Sequence, residues 1–368
     1  MTKDVITKFG RREFLKYSGA AGVAGSLSGG FMAHQALAAD MWKPKRPIQA
    51  VIQFGAGGGT DTVTRTVLKA MEPFLGQRIS AINMTGALGS IATKHVASKP
   101  ADGYTWLGAG GFLDYPRIQG IDNHLSWKDF QFFQSATSLA SWATHPDSSF
   151  KTFQDVIDYA KANPGKLRVS TDGVGGLWHE AIAIIAFMAG FKFTNVPFDG
   201  GAPATLAALQ KEVDIAGSGL HEQIQFVKSG KLRHLATFTA KPVKVDAKTS
   251  LEPISKYVPS AGASAPFGGM YNIGLRRNTP THILKTIQSA VAQAVASDSF
   301  QKMLKDRFML ETVVSGEAID KKAALLETQR VALFNQLGLA KKTAQDLGLP
   351  KPNDFDKWWP PQGYKPAI

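Results

Sequence analysis

Glycine-rich segments are the parts of this 368-residue chain best placed to do chemistry. Four of them follow an apolar run and precede a helical pattern: Gly55-Ala56-Gly57-Gly58-Gly59-Thr60-Asp61, Gly86-Ala87-Leu88-Gly89-Ser90, Gly108-Ala109-Gly110-Gly111 and Gly173-Val174-Gly175-Gly176. Glycine lets the backbone take positive φ and lets a ligand come close to the main chain. The helix that follows offers its first N–H groups and the positive end of its dipole, so a carboxylate or phosphate is stabilised there without a lysine. Turns from two separate blocks of the chain, facing each other across a cleft, would grip an acidic ligand at both ends.

Side chains beside these turns have two uses each. Asp61 either caps the helix that starts beside it or contacts a ligand amine or hydroxyl. His179, at another helix start, either bonds neighbouring backbone or touches the ligand with a ring nitrogen. Phe54 and Phe198 serve as core or as pocket walls. Other chemistries lack their residues. In a dinucleotide-type Gly-x-Gly-x-x-Gly beginning at Gly55, the third glycine falls on Thr60, and no Gly-x-x-x-x-Gly-Lys-Ser/Thr phosphate loop occurs. There is no Gly-x-Ser-x-Gly elbow, and neither His179-Glu180 nor His221-Glu222 is followed by a second histidine at zincin spacing. The absence of cysteine excludes a thiolate nucleophile, disulfides, an iron–sulfur cluster and a lipid-modified N-terminal cysteine. No metal and no cofactor are expected.

The elements that must position these turns read as alternating strands and helices. Strands are predicted over 47–54, 79–83, 104–107, 166–170, 213–216, 232–238 and 270–275. Val63, Val67, Met71 and Phe74 recur at helical steps and predict one buried stripe. Thr152 with Asp155 marks a helix start whose buried residues are Phe153, Val156, Ile157 and Ala160. Further helices are predicted over 180–188, 204–210, 281–296 and 317–337. The fold class is therefore α/β, each domain a mixed, mainly parallel sheet flanked by helices. Two domains fit the length. One is discontinuous, 43–142 plus 266–340, and the other spans 143–265, with the chain leaving near Trp142 and returning near Phe267. The Pro-, Ser- and Gly-rich stretch 241–269 reads as the crossing segment. Residues 341–368, with five prolines and Trp358-Trp359, read as a tail docked on the surface.

At the N-terminus, Arg11-Arg12-Glu13-Phe14-Leu15 precedes a weakly apolar Gly/Ala stretch and Ala36-Leu37-Ala38-Ala39, the order of a twin-arginine export signal cleaved near 38–40. A periplasmic protein is expected. The formal charge of +13 becomes +10 without residues 1–39, which hold five Lys/Arg and two Asp/Glu. A basic surface suits anionic ligands, and no dense basic cluster interleaved with aromatics argues for nucleic acid.

Several ordered motifs then carry a family resemblance: Arg46-Pro47-Ile48, Phe54 to Asp61, Gly86-Ala87-Leu88-Gly89-Ser90, Pro100-Ala101-Asp102-Gly103-Tyr104-Thr105, and Val196-Pro197-Phe198-Asp199-Gly200-Gly201-Ala202-Pro203-Ala204. Over nearly the whole chain to about Leu337, the sequence resembles the Bug or TctC-like substrate-binding proteins of tripartite tricarboxylate transporters. The resemblance implies a two-domain periplasmic binding protein of type II-like build, a monomer that closes on a small organic carboxylate between its domains. Its partners would be a large and a small membrane permease subunit of TctA and TctB type. It also implies a ligand site formed by Phe54, Ala56, Gly57, Gly58, Thr60 and Asp61, with Gly86, Ala109, Gly110 and Phe112 beside them. Facing these would be Thr171, Gly173, Gly175, Gly176, Leu177, Trp178 and His179, with Phe198, Gly200 and Gly201. The family commonly has a small hydroxyl residue before the histidine, where this chain has Leu177 and Trp178. That change adds apolar area and disfavours a citrate-like polyanion, favouring a di- or aromatic carboxylate. The rival functions are an exported enzyme using His179 and Asp61 as acid and base, and a ligand-sensing subunit for a membrane receptor.

Overall fold

The computed structural model describes residues 41–247 and 249–368; the expected leader 1–39 lies outside the described residues. Strand Ile48–Ile52 is buried along almost its whole length, as a strand covered on both faces must be. It sits inside a six-stranded sheet whose order is Leu310–Val314, Phe130–Thr137, Met270–Arg276, Thr105–Ala109, Ile48–Ile52, Ile79–Asn83. A second sheet of five runs Thr194–Pro197, Arg168–Thr171, Ile215–Gly219, Ala140–Thr144, Arg233–Thr237. This is the two-sheet α/β architecture expected from the sequence. Both sheets are mixed. The strand–glycine–helix units pair in parallel, Ile48–Ile52 with Ile79–Asn83 and Thr105–Ala109, and Arg168–Thr171 with Thr194–Pro197 and Ile215–Gly219. The strands that carry the chain between sheets join antiparallel, so the mainly parallel character holds only for one half of each sheet.

Helix Gly59–Leu75 shows how the sequence sets its packing. Val63, Val67, Met71 and Leu75 are buried at steps of four, while Phe74, expected on the same stripe, is 47% exposed. Successive residues turn by about 100° on a helix, so Leu75 continues the i+4 row and Phe74 leaves it. Gly76 ends the helix in the left-handed conformation with its N–H on the Glu72 carbonyl. The helix expected after Thr152 forms with both halves of its capping box, the Asp155 N–H on Thr152 and the Asp155 carboxylate on the Thr152 N–H.

The chain passes from the first sheet to the second through Ser138 and Leu139, and Trp142 already lies inside the second sheet. It returns through residues 267–269. The two passages run side by side: Ser138 N–H donates to the Gly269 carbonyl at 2.8 Å and Ala140 N–H to the Phe267 carbonyl at 2.8 Å. Gly268 packs so closely that a Cβ there would stand 2.0 Å from the Ser138 carbonyl oxygen. The stretch 241–269 holds a small hairpin, Val243–Lys244 with Ser250–Leu251, and short 3-10 turns.

A second link between the sheets is ionic. Arg330, on helix Gly316–Leu337, reaches Asp114 beside the first sheet and donates from Nε to Glu180 Oε2 at 2.9 Å on helix Leu177–Ala189 beside the second. Tyr115 donates to the same Glu180 oxygen at 2.6 Å. All four side chains are buried. The tail past residue 340 lies against the first sheet's helices, with the rings of Trp358 and Trp359 edge-on to Trp127 at 6.3 and 6.5 Å and Tyr364 donating to Asp320. No helix among the described residues is long and apolar enough to cross a membrane.

Candidate functional site

Strand ends from the two sheets meet at one small cavity. From the first sheet, strand Ile48–Ile52 leads into Phe54, Gly55, Gly58, Gly59 and Thr60, strand Thr105–Ala109 into Gly110, and strand Met270–Arg276 contributes Tyr271 with Gly269 just before it. From the second, strand Arg168–Thr171 leads into Asp172, Leu177 and Trp178, strand Thr194–Pro197 into Gly200, Gly201, Ala202 and Pro203, and strand Ile215–Gly219 into Glu222. The cavity is partly open to solvent, and its space of 30 Å³ is room for about two waters.

Glu222 organises the cavity. Its Oε2 accepts from the Gly219 N–H at 2.8 Å, so the carboxylate reaches back from the first turn of its own helix Leu220–Lys228 to the residue before it. Its Oε1 accepts from the Gly59 N–H at 3.2 Å, at the start of helix Gly59–Leu75 on the other side of the cleft. A Cβ on Gly201 would stand 1.9 Å from Glu222 Oε2, so the same carboxylate also lies against the start of helix Gly201–Leu209, and glycine there is what leaves it room. One carboxylate thus serves three helix beginnings, each with unsatisfied N–H groups and a positive dipole end.

Asp172 does the same at a fourth helix. Its Oδ1 accepts from the Trp178 N–H at 2.9 Å and its Oδ2 from the Leu177 N–H at 3.1 Å. Burial, reinforced by the negative charge of Glu222, raises the Asp172 carboxyl to about 7 against the opposing pull of those N–H groups. Tyr271, with Oη 3.0 Å from Ser138 Oγ and 3.2 Å from His221 Nε2, is pushed well above its ordinary value, first by burial and then by Glu222. His221 Nε2 stands 3.6 Å from Glu222 Oε1. Two more contacts cross the cleft: the Gly55 N–H donates to the Asp199 carbonyl at 3.2 Å, and Arg307 Nη1 donates to the His221 carbonyl at 3.1 Å.

The glycine turns therefore converge, but three of the N–H groups expected to await a ligand, those of Gly59, Leu177 and Trp178, are held here by the chain's own acids. The physical reason is proximity: a carboxylate three residues into the same helix, or six before the N–H it caps, reaches a helix start at far higher effective concentration than a solute does.

Of the residues singled out from the sequence, Phe54, Gly58, Thr60, Gly110, Leu177, Trp178, Gly200 and Gly201 line the cavity. The others lie elsewhere. Ala56 and Gly57 sit exposed on the first turn. Asp61 is engaged by the chain itself: burial pushes its carboxyl up, but the Gly57 N–H, Asn83 and Arg65 more than offset that and hold it below the usual range. His179 Nδ1 accepts from the Gly175 N–H at 2.9 Å, its ring meets Phe193 edge-on, and burial lowers the imidazole to about 4. Phe112 packs edge-on to Phe132 in the core, Ala109 is buried in its strand, and Phe198 is half-buried against the small apolar cluster that includes Val213 and Ala216. Thr171 Oγ1 donates to Asn195 at 2.6 Å. Gly86 lies against Ile91, Gly173 against Leu88 and Gly175 against Gln119, while Gly176 leaves room for the Asp172 carboxylate.

Gly55, Gly59, Ala202 and Pro203 belong to motifs the sequence singles out without being named as site residues, Asp172 reads only as part of its glycine turn, and sequence reasoning missed Gly269, Tyr271 and Glu222. A weak signal existed for Glu222, since a glutamate three residues after Gly219, which ends a strand and precedes a helix, can reach back to the N–H at that helix start. Among the described residues no group of three His, Asp or Glu side chains is placed to hold a metal ion.

The model of the tripartite tricarboxylate transporter family receptor, TctC, matches residues 63–333. A UPF0065 protein from the gbd 5′ region of Cupriavidus necator is 27% identical over 335 residues, covering 90% of this chain and 99% of that protein. Among solved structures, the periplasmic binding protein BugD superposes with a TM-score of 0.74 at 24% identity, over 81% of this chain and 100% of that one. Rpa4515 of R. palustris, solved with adipate, gives 0.72 at 23% identity, over 81% of this chain and 99% of its own.

Proposed function

The chain belongs to the tripartite tricarboxylate transporter receptor family, whose members are solute-binding proteins and not enzymes, and from that premise we propose that it captures a small organic carboxylate between its two sheets for delivery to a membrane permease. One observation carries the reading. Helix starts at residues 58–60 on one side and 200–202 on the other border a single cavity, and helix starts offer N–H groups that lack a carbonyl one turn back. No Lys or Arg is among the residues lining it, so main-chain N–H groups and helix dipoles are what would hold an acid. The adipate held by Rpa4515 supports a ligand of this class.

A cavity of 30 Å³ must open to admit such a ligand. In the proposed cycle the half up to residue 137 with residues 270–340, and the half from 140 to 266, part about the double passage at 138–139 and 267–269. The Gly59–Glu222, Gly55–Asp199, Arg307–His221 and Tyr271–His221 contacts break, and the ligand shifts the population back toward the closed form that two membrane subunits of TctA and TctB type recognise. Leu177 and Trp178 give the cleft an apolar wall, favouring a di- or aromatic carboxylate over a citrate-like polyanion. The receptor works in the periplasm after its twin-arginine leader is removed, a placement supported by Arg11-Arg12-Glu13-Phe14-Leu15. Mass spectrometry of the molecule released on denaturing the purified protein, with calorimetry against terephthalate, benzoate, adipate and citrate, tests the reading. An intact small carboxylate is expected, and citrate as the tightest binder, or a ligand without an acid group, overturns it.

A further inference from the structure

We propose that the face where helix Leu220–Lys228 meets helix Asp298–Arg307 is a docking surface for an anionic phospholipid membrane, one that seats the receptor on the bilayer. The inference goes beyond solute capture and does not depend on which solute the cleft takes.

Two stretches far apart in the chain, 225–231 and 302–308, build this face. Together they hold Lys228, Lys231, Lys302, Lys305 and Arg307 against a single acid, Asp306. Folding brings them together across the two halves. Arg307 Nη1 donates to the His221 carbonyl at 3.1 Å. The Phe308 ring, on a residue in the left-handed conformation that ends its helix, packs on the apolar cluster of Leu220, Ile224 and Leu251. The Lys228 ammonium stands 5.0 Å from the centroid of that ring. Asp306, paired with Lys302 at 2.6 Å, is held below its ordinary range chiefly by that bond and also by the charges of Lys228 and Lys305. Lys228, Lys231 and Lys305 are exposed and form no ion pair among the described residues. Both helices end here, and their carbonyl ends favour basic side chains. Five cations round one acid nevertheless repel one another until something anionic settles on them.

Composition selects the partner. Four of the five cations are Lys, a point charge on a flexible stem that suits diffuse negative charge, whereas protein interfaces favour Arg and are poor in Lys. The one Arg is already spent on a backbone carbonyl. Apolar side chains complete the face. Strand Leu310–Val314 runs on from Phe308 at the edge of the first sheet, and Leu310 and Val313 are each 48% exposed. Lysines flanking exposed aliphatic groups match a layer of acidic headgroups above acyl chains.

Flotation with vesicles of equimolar phosphatidylglycerol and phosphatidylcholine, against vesicles of phosphatidylcholine alone, tests this at physiological ionic strength. The protein is expected on the anionic vesicles only, and less of it as salt is raised. Lys228→Ala and Lys305→Ala should each weaken binding about fivefold, and Lys228→Glu combined with Lys305→Glu by about 25-fold or more. A control of equal net charge, Lys341→Glu with Lys351→Glu, alters exposed residues of the tail, which packs on the opposite face of the first sheet; it should bind within about twofold of wild type. Circular dichroism checks that the variants fold. Equal losses in the control and in the double reversal would show attraction by overall charge alone and overturn the inference. So would wild-type protein that ignores the anionic vesicles. Binding of polyglutamate but not of those vesicles would overturn it too, and hand the face to an acidic protein segment. None of these outcomes touches solute calorimetry, so failure here leaves carboxylate capture standing.

Discussion

Replacing Glu222 by alanine removes, in one change, one of the bonds that join the two sides of the cleft and the carboxylate that caps helix Leu220–Lys228. Both lost contacts are hydrogen bonds to a charged acceptor, from Gly59 N–H at 3.2 Å and Gly219 N–H at 2.8 Å, and each such bond contributes about 1.5–3 kcal/mol. Only the first acts on closure, because the Gly219 bond lies within one side and survives opening. The 3.2 Å length places it toward the weaker end of that range. A loss of about 1.5–2 kcal/mol from the closed form lowers the closed-to-open ratio of the ligand-free protein about 10- to 30-fold. Small-angle scattering of wild type and variant without ligand reads this directly: the wild type should be compact and Glu222→Ala expanded. Hydrogen exchange at Gly59 should quicken by the same factor. Superimposable scattering profiles with unchanged exchange at Gly59 would refute the argument that Glu222 holds the cleft shut.

Gly201→Ala should reproduce much of that phenotype without touching the acid, since the new Cβ would stand 1.9 Å from Glu222 Oε2 and force it out; a variant as compact as wild type in scattering would contradict it. Arg330→Met strands Asp114 and Glu180 as buried, unpaired carboxylates and should cost about 3–5 kcal/mol in urea unfolding, a loss below about 1 kcal/mol counting against the ionic link. The pH dependence has a defined sign. Asp172 rises from 3.8 to about 7 in the folded protein, beside Glu222, His221 and Tyr271, so the folded state keeps a proton that the unfolded chain gives up, and this group's contribution to stability falls as pH rises from 3.8 towards 7. Asp172→Asn should flatten the melting temperature over that window, and an unchanged slope would show that Asp172 ionises normally. His179, lowered from 6.5 to about 4, acts oppositely: stability is lost as pH falls through that interval, and His179→Gln should remove that part of the acid sensitivity in the same melting series.

The strand–glycine–helix units were legible because each carries a local signal, an apolar run, a glycine turn and a 3.6-residue stripe. Strands Phe130–Thr137 and Ala140–Thr144 carry none: they are buried throughout, lack alternation, and owe their place to neighbours far along the chain. Edge strands Thr194–Pro197 and Leu310–Val314 are short and mostly exposed or half-buried, which hides them from any hydrophobic pattern. At the site, glycines announce a close backbone approach but not what approaches. Gly59 and Gly201 make room for Glu222 and His221, which only the folded chain reveals. Tyr271 lies in a strand buried on both faces, so alternation could not say which residues reach the cavity.

In the proposed opening, the double passage at Ser138 and Gly268 sets how the two halves would move. Two backbone segments hydrogen-bonded to each other, with glycine backbone pressed on a carbonyl, cannot slide past one another; they bend together as a short ribbon, much as a leaf spring does. No bond in that ribbon has to break for a solute to leave. The clock for release is therefore set by the few contacts across the mouth, and substitutions there change how long a cargo stays without changing the route the two halves travel.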